Sequence, residues 1–167
     1  MDEIIFWILS GGAIISALLM VTRKSVVPSA LMLIVTFCFL AGLYLTLHAQ
    51  FLAVIQVTVY AGAIMVLVIF VIMLLNIRHE IFSLTGNWKT VVGICGVGAI
   101  LAQIGAVFIA NRDKLPQTLD TRSLELGTVE SIGTKLYTSY AFPFEMASII
   151  LIAAAVGAIV LAKKKLT

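Results

Sequence analysis

From Phe51 to Asn76 the chain reads FLAVIQVTVYAGAIMVLVIFVIMLLN, with no charged residue and no proline. As one α-helix, at about 1.5 Å per residue, this run is nearly 40 Å long, more than the roughly 30 Å apolar core of a bilayer. A helix of that length tilts, runs past the core or is locally rewound. Its centre, Tyr60-Ala61-Gly62-Ala63, sits between two β-branched and aliphatic halves. Glycine costs about 1 kcal/mol in an ordinary helix interior. Inside a membrane it marks close helix contact or an irregularity such as a π-bulge, one extra residue in a turn. Residue types alone leave both readings open at Gly62, and close packing is the simpler.

The rest of the chain is of the same kind. Only 11% of the 167 residues are charged and 62% are hydrophobic, whereas a soluble domain has nearer a quarter charged. The apolar residues lie in long blocks, so the chain is expected to be an integral membrane protein, all-α. The positive residues fall in short loops and at one end, so the basic balance does not point to nucleic acid. The start, MDEIIF, has no positive region before its apolar block, which argues against a cleavable signal peptide. Cys38 and Cys95 each fall inside an apolar block without CxxC or Cys/His spacing, and are expected to be buried packing residues.

Five spans are predicted, over 4–22, 26–47, 51–76, 90–110 and 144–162. The first carries small residues at Ser10, Gly11, Gly12, Ala13, Ser16 and Ala17, which suit close helix packing. Arg23-Lys24 ends it, and Pro28 falls in the first turn of the next. The link His48-Ala49-Gln50 is short enough to make spans two and three a tight antiparallel hairpin. A polar loop with Arg78, His79 and Glu80 follows, and Trp88 and Lys89 mark a membrane surface. Span four, rich in glycine and alanine with Gln103 inside it, is expected to pack tightly in the bundle. The stretch 111–143 is the long polar loop. Within it Leu136, Tyr137, Tyr140 and Phe142 suit a short amphipathic helix along the membrane surface. Lys and Arg collect on one side of this topology, which puts the N-terminus outside (periplasmic) and the C-terminus in the cytoplasm.

The chain shows no nucleophile–base pair, phosphate loop or metal-ligand cluster, so no catalytic residue is expected on it. Ionisable side chains inside helices are costly and commonly functional. The first four blocks have none in their interiors, and Glu145, near the start of the fifth, is the sole candidate. There a carboxylate can serve a proton path or subunit contact, or simply be stabilised by the helix N-terminus. His48 is either a pH-sensitive group or a polar residue at the membrane surface.

AVIQVTVYAGAIMVLVIFVIMLLN strongly resembles the third transmembrane helix of subunit J of bacterial respiratory complex I, whose mitochondrial counterpart is subunit 6. LYTSYAFPFEMASIILIAAAVGAIVLAKK is similar to that family's last helix with its approach. The resemblance covers nearly the whole chain, and YAGAIMVL is its specific part. It implies a five-helix subunit of the proton-pumping NADH:quinone oxidoreductase in the bacterial cytoplasmic membrane, near the quinone-binding end and against subunits A, H, K and N. It implies that this chain binds no cofactor, and that NADH, FMN, iron–sulfur clusters and quinone belong to other subunits. The family's third helix carries a π-bulge at the position of Tyr60 to Val66. That helix changes between π and α forms, opening and closing a water path. The resemblance thus favours Gly62 as a hinge, flanked by Ala61 and Ala63, with Tyr60, Met65 and Val66 lining or blocking the path. Some members carry a carboxylate at the position of Gln56, which can hydrogen-bond but cannot relay a proton. Glu145 matches a glutamate of the last helix. Related subunits of cation/proton antiporters or membrane-bound hydrogenases are the alternative reading, and an independent small transporter or channel is a third.

Overall fold

The computed structural model describes residues 2–75, 87–111 and 126–163. It is all-helical over these residues, and five helices are long and apolar enough to cross a membrane. Asn76, the loop with Arg78, His79 and Glu80, most of the long polar loop, and Lys164-Lys165 lie outside the described residues.

The first span is α1 (Asp2–Thr22) and the second α2 (Val26–Thr46). Pro28 lies in the first turn of α2, where its missing N–H has no intrahelical acceptor to lose. The third span is three pieces in line: α3 (Gln50–Ile55), a π-helical run (Gln56–Ile64) and α4 (Met65–Leu75). The fourth span is α5 (Asn87–Ala110). A short surface helix, α6 (Val129–Thr138), precedes the last span, α7 (Ala141–Ala162). Pro143 falls inside the first turn of α7 rather than at its start.

The core is built of small side chains. Ala13, Ser16, Ala30, Thr36, Ala41, Ala53 and Ala61 are buried, while most Ile, Leu and Val point outward. Lipid is as apolar as leucine, so what holds two helices together is close approach and hydrogen bonding. α1 and α2 show both. A Cβ on Gly12 would lie 2.6 Å from Phe39 Cζ, and one on Gly42 would lie 2.9 Å from Leu9 Cδ2. Between these helices the Thr36 hydroxyl donates to Ser16 Oγ (2.9 Å), and the Ser16 hydroxyl donates to the Gly12 carbonyl (2.8 Å). At the next turn Ser29 donates to the Met20 carbonyl (2.6 Å), one of the last-turn acceptors that α1 itself leaves open. α2 is the hub of the molecule. α1 and the third span each pack on it, and make no contact with each other among the described residues.

α5 and α7 behave differently. Among the described residues α5 touches no other element and α7 touches only α6. Span four is expected to pack tightly in a bundle, and the described helices of this chain do not supply that bundle: among them nothing lies within 4 Å of a Cβ placed on Gly93, Gly96, Gly98 or Gly105. The expectation of buried cysteines is corrected, since Cys38 and Cys95 are both exposed. The surface helix forms earlier than the aromatic residues suggest, over Val129–Thr138, leaving Tyr140 and Phe142 outside it. Thr128 caps it by accepting from the Ser131 N–H (3.2 Å), a stronger start signal than the aromatics supply.

Candidate functional site: the third span against α2

The third span begins at a turn that closes α2 in the Schellman pattern. The His48 N–H donates to the Leu45 carbonyl (3.0 Å) and the Ala49 N–H to the Tyr44 carbonyl (2.9 Å). This turn holds His48 at φ 57°, in the left-handed region where glycine is usual. The conformation costs a non-glycine residue about 1–2 kcal/mol. His48 thus has a backbone role that its side-chain chemistry does not suggest.

Along the third span, Ala53, Gln56, Ala61 and Met65 are the buried positions. The step of five from Gln56 to Ala61 is longer than the three or four of an α-helical stripe, as a widened turn requires. The Met65 N–H donates to the Tyr60 carbonyl, five residues back, which is the π pattern. At the other end the Gln56 N–H is shared between the Leu52 and Ala53 carbonyls. Val57, Thr58 and Val59 are β-branched, which weakens regular helix here. Gly62 supplies room: a Cβ on it would lie 3.3 Å from the Val57 carbonyl oxygen, five residues back. Any side chain at 62 therefore presses on the acceptor that the widened turn brings close.

Tyr60, Ala61, Gly62 and Ala63 all lie within the π-helical run, whereas Met65 and Val66 are the first residues of the α-helix beyond it. The run starts and ends earlier in the chain than the Tyr60 to Val66 position that the resemblance implies. Met65 is only 4% exposed and Val66 is 60% exposed, so neighbouring positions face opposite surroundings. The Tyr60 ring packs edge-on against Phe37 of α2, with centroids 6.0 Å apart. Such a pair contributes about 0.5–1.5 kcal/mol beyond its buried area. Phe37 was not identifiable from the sequence, because only the pairing of helices reveals Tyr60's partner. Beside the π-helical run an open groove is lined by Cys38, Ala41 and Leu45 of α2 and by Val54, Val57 and Thr58.

Gln56 is the one polar side chain among the buried positions of the third span, 7% exposed. No side-chain N or O among the described residues is both buried and unpartnered, so the Gln56 amide keeps an opening to solvent at this otherwise apolar interface. From Gln50 to Leu75 there is no Asp, Glu, Lys, Arg or His. Glu145 is not brought to this cluster. It is exposed near the start of α7, which makes no contact with the third span among the described residues. Nor do three or more His, Cys, Asp or Glu come together anywhere in the described residues. The arrangement offers no group for bond-breaking chemistry. It offers a π-helical run inside a long apolar helix, with one largely buried glutamine at its start.

Comparison with known proteins agrees over nearly the full length. A family model described as NADH-ubiquinone/plastoquinone oxidoreductase chain 6 matches residues 16–161. The NAD(P)H-quinone oxidoreductase chain 6 of Leptolyngbya boryana is 38% identical over 160 residues, covering 96% of this chain and 79% of that one. The NADH-ubiquinone oxidoreductase chain 6 of Marchantia polymorpha is 35% identical, covering 98% and 88%. The F(420)H(2) dehydrogenase subunit J of Methanosarcina mazei is 34% identical, covering 98% and 92%. The chain belongs to the NADH-ubiquinone/plastoquinone oxidoreductase chain 6 family.

Proposed function

We propose that this chain is a membrane-arm subunit of a proton-translocating NADH:quinone oxidoreductase, and that its third span couples quinone reduction to proton movement by changing helical register. The observation that carries the coupling is the π-helical run Gln56–Ile64 with its Met65-to-Tyr60 hydrogen bond. One residue of an α-helix spans about 100° of rotation. Expelling the extra residue of the widened turn therefore turns α4 by about that amount relative to α3. Such a turn takes Met65 off its contact and brings an adjacent position onto it. Tyr60, on the opposite end of the same hydrogen bond, shifts against Phe37. Gln56 then gains or loses access to water that completes its hydrogen bonding. Two settings of one packed element are the kind of switch through which distant sites can be coupled.

The relatives take electrons from different donors by name, NAD(P)H in one case and F(420)H(2) in another. A subunit common to both is not where the donor is selected. In this reading NADH, FMN, the iron–sulfur clusters and the quinone are held by other subunits. The chain sits in the bacterial cytoplasmic membrane against subunits A, H, K and N, with its N-terminus outside and its C-terminus inside. Glu145, exposed on α7, serves a neighbouring subunit or a proton path that passes between chains.

Gly62→Val tests the switch. A branched side chain at 62 crowds the Val57 carbonyl and biases the run away from its π form. A bias of about 1.4 kcal/mol changes the ratio of two states ten-fold. Proton pumping of the assembled complex is expected to fall by about that factor and quinone reductase activity by less, so that fewer protons move per donor oxidised. Unchanged coupled turnover in a fully assembled Gly62→Val complex would falsify the hinge.

A further inference from the structure

The His48 turn is gripped from outside by the end of the long loop. The Phe51 N–H donates to the Gly127 carbonyl at 3.2 Å. Phe51 lies in the first turn of α3, where the helix itself offers its N–H no acceptor. Gly127 approaches so closely that a Cβ there would collide with the His48 carbonyl oxygen and lie 3.0 Å from Ala49 Cα. Both obstacles are backbone, so no rotamer change relieves them. Directly after Gly127 comes Thr128, the cap of α6. α6 is joined in turn to the last span by the edge-on rings of Tyr137 and Phe144, 5.2 Å apart. These contacts link α7, α6 and the start of the third span, and they pass through a residue with no side chain.

We infer that Gly127 is a positioning residue for the third span. Its carbonyl fixes the His48 end of that span to α6, so rotation within the π-helical run is taken up on the Met65–Leu75 side alone. The inference rests on the register-change reading of the third span. A helix free at both ends would dissipate a register change as slippage at α3; one held at Phe51 transmits it to α4. Gly133 of α6 provides a matched control, because nothing lies within 4 Å of a Cβ placed on it.

The test uses the intact complex, with residue-resolved hydrogen exchange at Phe51 and protons moved per donor oxidised. In the unmodified complex Phe51 is expected to exchange slowly; fast exchange there overturns the inference without any variant. In Gly127→Ala the Phe51 amide is expected to exchange about ten-fold faster, the equivalent of one lost hydrogen bond. The proton-to-donor ratio falls with it, while Gly133→Ala changes neither. Unchanged Phe51 exchange in Gly127→Ala overturns the inference. So does faster exchange with an unaltered proton ratio, provided that Gly62→Val lowers that ratio in the same assay. A Gly62→Val complex that keeps the full ratio marks the failure of the register-change reading instead.

Discussion

α1 and α2 meet through Gly12 under Phe39, Leu9 over Gly42 and a hydroxyl chain from Thr36 through Ser16. α5 and α7 are as apolar and as rich in glycine and alanine, yet their glycines Gly93, Gly96, Gly98, Gly105 and Gly157 have open space around them. Composition does not separate the two regions; what separates them is that Gly12 and Gly42 are answered by large side chains on a facing helix, whereas no described glycine of α5 or α7 is. Hydropathy places a segment in the bilayer, but it supplies no attraction between two segments already there. Among the described residues the first half of this chain carries its own partners, and α5 and α7 leave their small-residue faces open.

The contrast is broken or sharpened by substitution. Gly12→Val puts a branched side chain where the Phe39 ring already stands. It is expected to cost up to about 3 kcal/mol, the usual range for overpacking, read as a lowered unfolding midpoint of the chain in detergent. An unchanged midpoint would mean that α1 and α2 are not locked as described. Thr36→Val keeps the shape and removes the interhelical donor. The loss expected is about 0.6 kcal/mol and at most ~1.7, the range measured for such bonds in membranes. A larger loss would show that the hydroxyl chain is more than a single bond. Gly96→Ala in α5 is the smallest change. In the isolated chain it is expected to be neutral or to gain less than about 1 kcal/mol, since alanine is the better helix former. A clear loss in the isolated chain would show that α5 packs within the chain after all, whereas a loss seen only on assembly would locate its partner in another subunit.

Much of the fold was legible because length and apolarity are local properties. The spans, the short α2–α3 link and the tolerance of Pro28 in a first turn all follow from residues close in sequence. The glycine-centred cluster at Tyr60 to Ala63 also carried a local signal, since glycine beside β-branched residues is unfavourable in a plain helix. What was not legible depends on which faces meet. Nothing in the sequence says that Phe37 answers Tyr60, that Thr36 reaches Ser16, or that the glycines of α5 meet no side chain among the described residues. The left-handed backbone at His48 was hidden for a related reason: the turn is imposed by the hairpin, and histidine is not a residue that announces it. Gly127 precedes a threonine helix cap, which suggests a turn, but its contact with His48 spans most of the chain's middle and could only be seen folded.

The absence of charge from Gln50 to Leu75 has an electrical consequence. Across an energised membrane each elementary charge that moves through the field is worth about 2.3 kcal/mol per 100 mV. A helix carrying no charge that turns about its own axis moves none, and its backbone dipole, lying along that axis, is not reoriented. With Gln56 there rather than a carboxylate, the turn proposed for the third span would carry no formal charge across the field. On the register-change reading the membrane potential has no charge here to act on, so the drive for the turn comes from the groups that touch the span.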